Sequence, residues 1–232
     1  RALGSREEAI RLPAFTALVE GYWRPSYKYL RVRWRLPAED AEDLTQEFFA
    51  RVLEKRYFDR YEPGRARFRT YLRTCLDRFA ANRRRSARRL KRGGAVTTLS
   101  LDFAGVEGEL ERSGGGAAAR AAANPESYFH REWRRALFHD AVAELRETCA
   151  AAGKERRFEV FERYDLRGGE GLTYARLGEE LGLPATQVTN HLSWARRELR
   201  RILLDRLRRV CGSEEELAAE ARDLLGAAEP RR

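Results

Sequence analysis

The sequence of 232 residues has no methionine and only three cysteines and three histidines. Cys75, Cys149 and Cys211 lie far apart without a CxxC pair, which argues against a disulfide framework and a thiolate zinc site. No stretch approaches the roughly 18 uninterrupted apolar residues of a transmembrane helix. The first residues, RALGSREEAIRLP, lack the apolar core of a signal peptide. We therefore expect a cytoplasmic protein without a metal or another cofactor.

Positive charge is in excess, and nearly all of the excess lies in one segment. The chain has 46 Lys and Arg against 36 Asp and Glu, a formal net charge of +10. Residues Arg65 to Arg92 include twelve basic residues and one acid, Asp77, so the rest of the chain is close to neutral. Such a concentration is typical of a surface that binds a polyanion. The alternatives are a solvated surface helix and a membrane-surface helix, although few large apolar residues follow Phe79.

A stretch rich in Gly, Ala and Ser separates two denser halves of the chain. It contains Gly114–Gly116 and a run of alanines, a composition that favours a flexible connector. This pattern predicts four parts: a first domain at 1–92, a flexible linker at 93–127, a second domain at 128–209 and an acidic C-terminal extension at 210–232.

The first half has helical periodicity throughout. Residues 14–22 and 26–36 are predicted to form two helical segments, and Pro25 and Pro37 mark the breaks after them. In the next helix one apolar stripe is formed by Ala41, Leu44, Phe48 and Val52, beside an acidic stripe of Asp40, Asp43, Glu47 and Glu54. The basic helix that follows has an inward stripe of Phe68, Tyr71, Leu72, Cys75, Leu76 and Phe79, and its residues from Arg83 onward should project outward.

The second half is also predicted to be helical, with segments at 128–151 and 155–166 broken near Gly153 and Gly168-Gly169. A short helix at 174–181, a turn at 182–184 and a longer helix from Ala185 then form a helix-turn-helix pattern. In such units the start of the second helix reaches base edges in the major groove. An ordinary helical hairpin is the alternative. The final SEEELAAEARDLLG segment predicts an acidic helix that is capped by Ser213 and packs within the chain.

Three segments together resemble bacterial RNA polymerase sigma factors: DAEDLTQEFFARVLEK, FRTYLRTCLDRFAANRRRSARR and LTYARLGEELGLPATQVTNHLSWARRELRR. The similarity is greatest to the extracytoplasmic-function (ECF) group, which keeps sigma domains two and four, and it covers about residues 14–92 and 128–209. The resemblance implies an all-α fold of two helical domains joined by a linker, the second with a helix-turn-helix. It also implies a non-enzymatic promoter-specificity subunit that binds core polymerase and directs transcription initiation.

The resemblance assigns the acidic helix to the clamp helices of the polymerase beta-prime subunit and the basic region to the minus-ten promoter element. The implied polymerase contacts are Asp40, Asp43, Leu44, Gln46, Glu47 and Phe48. The implied minus-ten contacts are Tyr57, Phe58, Tyr61, Arg65, Arg67, Arg69, Arg73, Arg78, Asn82, Arg83, Arg84 and Arg85. Arg78 stands where the family often has Asn, which predicts a different reading of the base at this position.

For the minus-thirty-five element the resemblance implies contacts from the second helix of the helix-turn-helix. These are Thr186, Gln187, Thr189, Asn190, His191, Trp194, Arg196, Arg197 and Arg200. The common Thr-Val-Lys-Ser-Arg pattern of the family is replaced by residues 187–191, QVTNH, which predicts the same docking with another preferred sequence. Further implied partners are the flap of the polymerase beta subunit for the second domain and an anti-sigma protein or kinase.

Two other classes of function remain as alternatives at this point. A free-standing helix-turn-helix regulator explains residues 173–201 but gives the acidic and basic helices no joint role. An enzyme acting on nucleic acid would need converging carboxylates or a nucleophile, and no such set can be assembled from the sequence. The linker acids Asp102, Glu107, Glu109 and Glu111 either mimic nucleic acid in the polymerase cleft or are solvated.

Overall fold

The computed structural model describes residues 8–55, 60–87, 101–112, 116–169 and 171–226. These residues form α-helices, a π-helical turn at Glu162–Arg167 and short connections, with no β-strand among them, so the all-α prediction is confirmed. In chain order the α-helices are α1 (Glu8–Arg33), α2 (Ala38–Lys55), α3 (Phe68–Ala87), α4 (Phe103–Arg112), α5 (Gly116–Ala123), α6 (Pro125–Ala151), α7 (Glu155–Phe161), α8 (Tyr174–Leu181), α9 (Ala185–Val210) and α10 (Glu214–Leu225).

The chain forms two compact units whose bounds differ from the predicted parts. Unit 1 comprises residues 1–136 and 208–232, and unit 2 comprises residues 137–207. The C-terminal extension therefore belongs to the same unit as the acidic and basic helices. The functional assignment of the four predicted parts stays a prediction.

Helix α1 is one continuous helix, whereas the sequence predicts two segments separated at Pro25. Pro25 has no N–H to donate to the carbonyl oxygen of Gly21, a loss that costs about 3 kcal/mol inside a helix. Large side chains on both sides of Pro25 are buried, among them Leu18, Tyr22 and Leu30. Each such burial is worth about 1.5–3 kcal/mol, so the shared core outweighs the local proline penalty.

The predicted apolar stripes of α2 and α3 form much of the core of unit 1. All four stripe residues of α2 are buried, and on α3 only Tyr71 remains half-buried. Phe48 and Phe79 meet with ring centroids 5.6 Å apart. This packing fixes which sides of the two helices face outward, and thereby positions the candidate contacts on them.

The predicted flexible linker contains two helices in the structure, α4 and α5. Phe103 and Val106 of α4 are buried, and the Phe103 ring lies 5.3 Å from that of Trp23 and 5.1 Å from that of Tyr27. The glycine content suggested a loose tether, but two apolar residues at i, i+3 spacing were sufficient to hold this segment against α1.

Two of the four linker acids, Glu107 and Glu109, bind cations and a hydroxyl of α1, whereas Asp102 and Glu111 are exposed. Glu107 forms a close ion pair with Arg31 and accepts a 2.6 Å hydrogen bond from the Tyr27 hydroxyl. Glu109 accepts from Lys28 at 2.8 Å. The pKa of Glu107 is lowered, chiefly by the hydrogen bond from Arg31.

In unit 2 the helix bounds agree with the sequence prediction. Thr173 caps α8 by accepting from the Arg176 amide at 3.2 Å, and Gly182 ends it in the left-handed conformation with φ of 64°. A side chain at Gly178 would come within 2.5 Å of the Leu183 carbonyl oxygen, so this close turn requires glycine there. The apolar residues predicted to face each other are all buried: Leu177, Leu181, Val188, Leu192, Ala195 and Leu199.

Candidate polymerase and nucleic-acid interfaces

Helix α2 presents part of the predicted acidic face to the outside. Asp40 and Asp43 are exposed, and Gln46 is half-buried. Glu47 is engaged within unit 1, because its carboxylate lies 2.9 Å from Arg51 and 3.1 Å from Arg83 of α3. Glu54, the last acid of the stripe, is exposed too, so Asp40, Asp43 and Glu54 are the acids of this face that a basic partner can reach.

Two of the predicted polymerase contacts are buried within unit 1. Leu44 is 6% exposed and Phe48 is 1% exposed, because both belong to the apolar stripe against α3. These residues hold α2 in place, and a contact of either with polymerase stays a prediction that would require this packing to open.

The first part of the basic segment is covered by α10. Arg67 forms a close ion pair with Asp223, and Arg69 forms one with Glu220. The Tyr61 hydroxyl donates to Glu216 at 3.0 Å, and the backbone amide of Phe68 donates to the same carboxylate. We call Tyr61, Arg67, Arg69 and the Phe68 amide the covered surface. Arg65, by contrast, is exposed and pairs with Glu62 at 2.8 Å.

The pKa shifts follow from how deeply each group of this contact is buried. Arg69 and Glu220 are both buried, and burial raises the pKa of Glu220 and lowers that of Arg69. Asp223 remains exposed, and the hydrogen bond from Arg67 lowers its pKa. Burial and the nearby Glu216 together raise the pKa of Tyr61. The Arg69–Glu220 pair therefore bears a desolvation cost that the exposed pair does not.

Asp77, the lone acid of the basic segment, connects α1 with α3. Its carboxylate accepts from the Tyr29 hydroxyl at 3.0 and 3.1 Å, from the Trp34 indole at 3.0 Å and from Arg73 at 2.6 Å. Arg73, a predicted minus-ten contact, is thus engaged within unit 1. The sequence marked Asp77 only as an exception in a basic run, and its structural role was missed.

The last part of α3 is open. Arg78, Asn82, Arg84 and Arg85 are exposed, and no ion pair joins them to another described residue. We call these four residues the open surface. Beside it, Arg33, Trp34, Arg35 and Arg84 line a recess of about 430 Å³ at the end of α1. Arg83 is also exposed but contacts Glu47. Tyr57 and Phe58 lie outside the described residues.

At the start of α9 the predicted base-contacting side chains project outward. Thr186, Gln187, Thr189 and Asn190 are exposed, and His191 is half-buried. The Thr189 hydroxyl donates to the Ala185 carbonyl oxygen at 3.0 Å. Burial, with Arg157 and Arg156 nearby, lowers the pKa of His191, so the imidazole is neutral at pH 7.

Farther along α9 the predicted contacts divide. Arg197 and Arg200 are exposed. Arg196 instead donates to both carboxylate oxygens of Asp165 at 2.9 and 2.7 Å, and the Arg157 guanidinium lies 4.8 Å from the centre of the Trp194 ring. In this structure Arg196 and Trp194 stabilise unit 2, and the phosphate and base contacts predicted for them would require these contacts to break.

The described residues contain no group of three or more His, Cys, Asp and Glu side chains that could hold a metal ion. Among their helices, none combines the length and the apolar character that crossing a membrane requires.

The acids of α10 are the residues of this region that sequence reasoning did not assign. A signal for them was present, because Glu216, Glu220 and Asp223 follow i, i+4, i+7 spacing and share one helix face. The sequence predicted that this helix packs within the chain, and this is confirmed. What it lacked was the position of the partner, since Arg69 and Glu220 are 151 residues apart.

Comparison with known proteins gives one match, to the family model described as Sigma-70 region 2, over residues 18–90. The matched residues make up less than half of the chain, and over them the chain is similar to factors of the sigma-70 family. Region 2 of these factors binds core RNA polymerase and promoter DNA. Searches of curated proteins and of solved structures found no match to the chain.

Proposed function

We propose that the chain is an alternative sigma factor of the ECF type, which acts in the cytoplasm. In this proposal α2 docks on the beta-prime clamp helices of core polymerase, α3 binds the minus-ten element, and α8 with α9 binds the minus-thirty-five element. The observation that carries the proposal is the match of residues 18–90 to Sigma-70 region 2, within which an exposed acidic face precedes an exposed basic one.

The proposed polymerase contact rests on Asp40 and Asp43. Both side chains are exposed on a helix whose apolar stripe is fully buried, so charge is what this side of α2 offers to a partner. Charge complementarity with a basic partner speeds association and sets the orientation of docking. Gln46, half-buried on the same helix, is proposed to add a hydrogen bond.

The proposed minus-ten contact rests on the open surface. Arg84 and Arg85 suit phosphates, because an arginine without an acidic neighbour can release counterions from the nucleic-acid backbone. Asn82 has the amide that reading an adenine edge requires. The arginine-lined recess at Arg33, Arg35 and Arg84 extends the positive charge beyond α3.

The proposed minus-thirty-five contact is a helix-turn-helix formed by α8 and α9. Gln187, Asn190 and His191 have i, i+3, i+4 spacing at the start of α9, where side chains of such units enter the major groove. Arg197 and Arg200, about two and three turns after Asn190, are proposed as phosphate contacts. Docking of this region on the beta-subunit flap is part of the same proposal.

The polymerase contact is tested by measuring the affinity of the full chain for core enzyme. Asp43→Arg should weaken binding by about tenfold, because a repulsive pair at a complementary interface costs 1.4 kcal/mol or more. Glu147→Arg, an equal charge change at an exposed position of α6, is the control and should leave binding unchanged. Equal effects of the two substitutions would rule out the assigned docking face.

The minus-thirty-five contact is tested by selection from randomised upstream promoter DNA. Gln187→Ala and Asn190→Ala should each relax the preference at one or two adjacent positions, since an amide pairing with adenine is worth roughly 1–3 kcal/mol against a wrong base. Glu147→Ala, at an exposed position of α6 outside the assigned contacts, serves as the control. Unchanged preferences with uniformly lower yield would assign the two amides to phosphate contacts instead.

A further inference from the structure

Helix α10 is attached to unit 1 mainly by charge. Of its described side chains only Glu220 is buried, whereas its leucines, Leu217, Leu224 and Leu225, are all half-buried. An amphipathic helix normally docks by burying its apolar stripe. A helix held by carboxylates on arginines instead loses little apolar burial when it leaves.

The carboxylates of α10 form a row that meets cations and donors of the covered surface. Glu216 accepts from Tyr61 and the Phe68 amide, Glu220 pairs with Arg69, and Asp223 pairs with Arg67. Residues at i, i+3 and i+4 on a helix lie about 5–6 Å apart, so the row places regularly spaced negative charges along the surface. Arginine guanidinium groups, an aromatic hydroxyl and a backbone amide are also the groups that bind phosphates in protein–nucleic acid contacts.

The covered arrangement is not fully satisfied. The Nε atom of Arg69 is buried and finds no acceptor among the described residues. A Cβ added to Gly212, which precedes α10, would lie 2.6 Å from the Tyr61 ring, so this approach is tight. Burial also raises the pKa of Glu220, although Arg69 is beside it. The contact thus combines favourable ion pairs with a desolvation cost that opposes them.

We propose that α10 is an internal competitor of nucleic acid, which covers Tyr61, Arg67 and Arg69 until single-stranded promoter DNA displaces it. The inference rests on the proposed function, because it takes these three residues as DNA contacts. The chain alone then binds the minus-ten strand weakly through the open surface, and releasing α10 exposes the rest of the site. The fraction of molecules with α10 released sets the apparent affinity.

The test uses the full chain and a fluorescent single-stranded oligonucleotide with the minus-ten sequence shared by promoters from which core polymerase and this chain start run-off transcription. The double variant Glu216→Gln, Asp223→Asn should bind it at least about tenfold more tightly than the parent chain, as expected when a released fraction of about one tenth or less becomes complete. The control Glu111→Gln, Glu214→Gln makes the same charge change at exposed positions of α4 and α10. It should raise affinity far less.

Removing two negative charges could by itself strengthen DNA binding, so a second variant is used that changes no charge. Gly212→Ala should also tighten binding, since its methyl group meets the Tyr61 ring and disfavours the covered state. Gly169→Ala in unit 2, where a Cβ is 3.9 Å from Leu172, is the matched control. Hydrogen exchange gives the direct readout: amides of α10 should lose protection when the oligonucleotide is added.

The outcomes separate the inference from the proposed function. If Arg84→Ala weakens binding while both α10 variants bind as the parent chain does and α10 keeps its protection, α10 is a structural part of unit 1 and the inference is overturned. If neither the parent chain nor the α10 variants bind the oligonucleotide and Arg84→Ala changes nothing, the minus-ten assignment itself is overturned, and the inference with it.

Discussion

The two ends of the basic segment have the same number of arginines but different surroundings. Residues 65–73 and residues 78–85 each contain four arginines. In the first set every arginine is paired with a carboxylate, three of them by α10 or Asp77. In the second set only Arg83 is paired with a carboxylate of the described residues. Formal charge in a sequence therefore identifies a basic surface but does not say which cations are free to bind a ligand.

The largest effect that distinguishes the two ends is expected in stability. Arg69→Ala should lower the free energy of unfolding by about 3 kcal/mol, because the buried Glu220 carboxylate loses its close ion pair and keeps Arg67 at 3.5 Å. Arg85→Ala, at an exposed position, should change it by no more than about 0.5 kcal/mol. Urea unfolding of both variants gives the comparison. Similar free energies of unfolding for the two variants would show that the Arg69–Glu220 pair does not stabilise the fold. Adding Glu220→Gln to Arg69→Ala should restore part of the lost stability.

The next effect concerns Asp77, which binds three donors. Asp77→Ala should lower the free energy of unfolding by about 1–3 kcal/mol, because the buried Tyr29 hydroxyl and the Trp34 indole lose the carboxylate that accepts their hydrogen bonds. Asp102→Ala, at an exposed carboxylate that accepts from the Gly105 amide, is a milder control. The measurement is the urea midpoint at constant slope. An Asp77 variant no less stable than the control would mean that α1 and α3 are held by apolar packing alone.

In DNA binding, substitutions in residues 78–85 should have a larger effect than substitutions in residues 65–73, the reverse of their effects on stability. Arg84→Ala should reduce the slope of log affinity against log salt by about 0.7 for single-stranded and 0.9 for duplex DNA, the value of one lost phosphate contact. Arg73→Ala, whose parent side chain is engaged by Asp77, should leave the slope unchanged. A titration from low to high salt measures both. If Arg73→Ala changes the slope as much as Arg84→Ala does, the division into paired and open arginines does not govern binding.

The smallest effect is a pH dependence at the covered end. His130 lies 3.3 Å from the Thr70 hydroxyl and 3.7 Å from Glu126, and burial, with Arg69, Arg67 and Arg73 nearby, lowers its pKa to about 4. The unfolded chain binds a proton at this residue near pH 6.5, whereas the folded chain does not, so stability falls as the pH drops below about 6.5.

His130→Gln should remove the part of the pH dependence that His130 causes. The stability of the variant relative to that of the parent chain should therefore rise as the pH is lowered from 7 to 5. Thermal unfolding at several pH values measures the difference. His139→Gln, at an exposed position of α6, is the control. A constant difference across this range would show that His130 titrates alike in the folded and unfolded states.

Local patterns in the sequence were sufficient for the helices and for most of their buried faces. The stripes of α2 and α3, the cap at Ser213 and the turn at Gly182 all depend on residues within a few positions of one another. Three structural features that the sequence analysis did not predict have another origin. Continuity of α1 through Pro25, order in α4 and burial of Arg69 each depend on partners distant in sequence, and local composition does not encode where those partners lie.

The same distinction applies to the candidate site. The exposure of side chains such as Asp43, Asn82 and Asn190 follows from periodicity, whereas the contacts assigned to them came from the resemblance and the helix-turn-helix pattern. The pairing of Arg67 and Arg196 could not be predicted in this way, because the carboxylates come from α10 and from the π-helical turn after α7. Leu44 and Phe48 were placed both in the apolar stripe and on a partner surface, and the structure shows the first of these roles.

The most direct measurement of the central claim is run-off transcription by core polymerase with the full chain on a genomic promoter library. A sigma factor of this type predicts transcripts that depend on the chain and start at a fixed distance from shared minus-ten and minus-thirty-five elements, with Asp43→Arg and Arg84→Ala each reducing the yield. Specific binding of the chain to duplex DNA without any chain-dependent transcript would contradict the claim and favour a free-standing DNA-binding regulator.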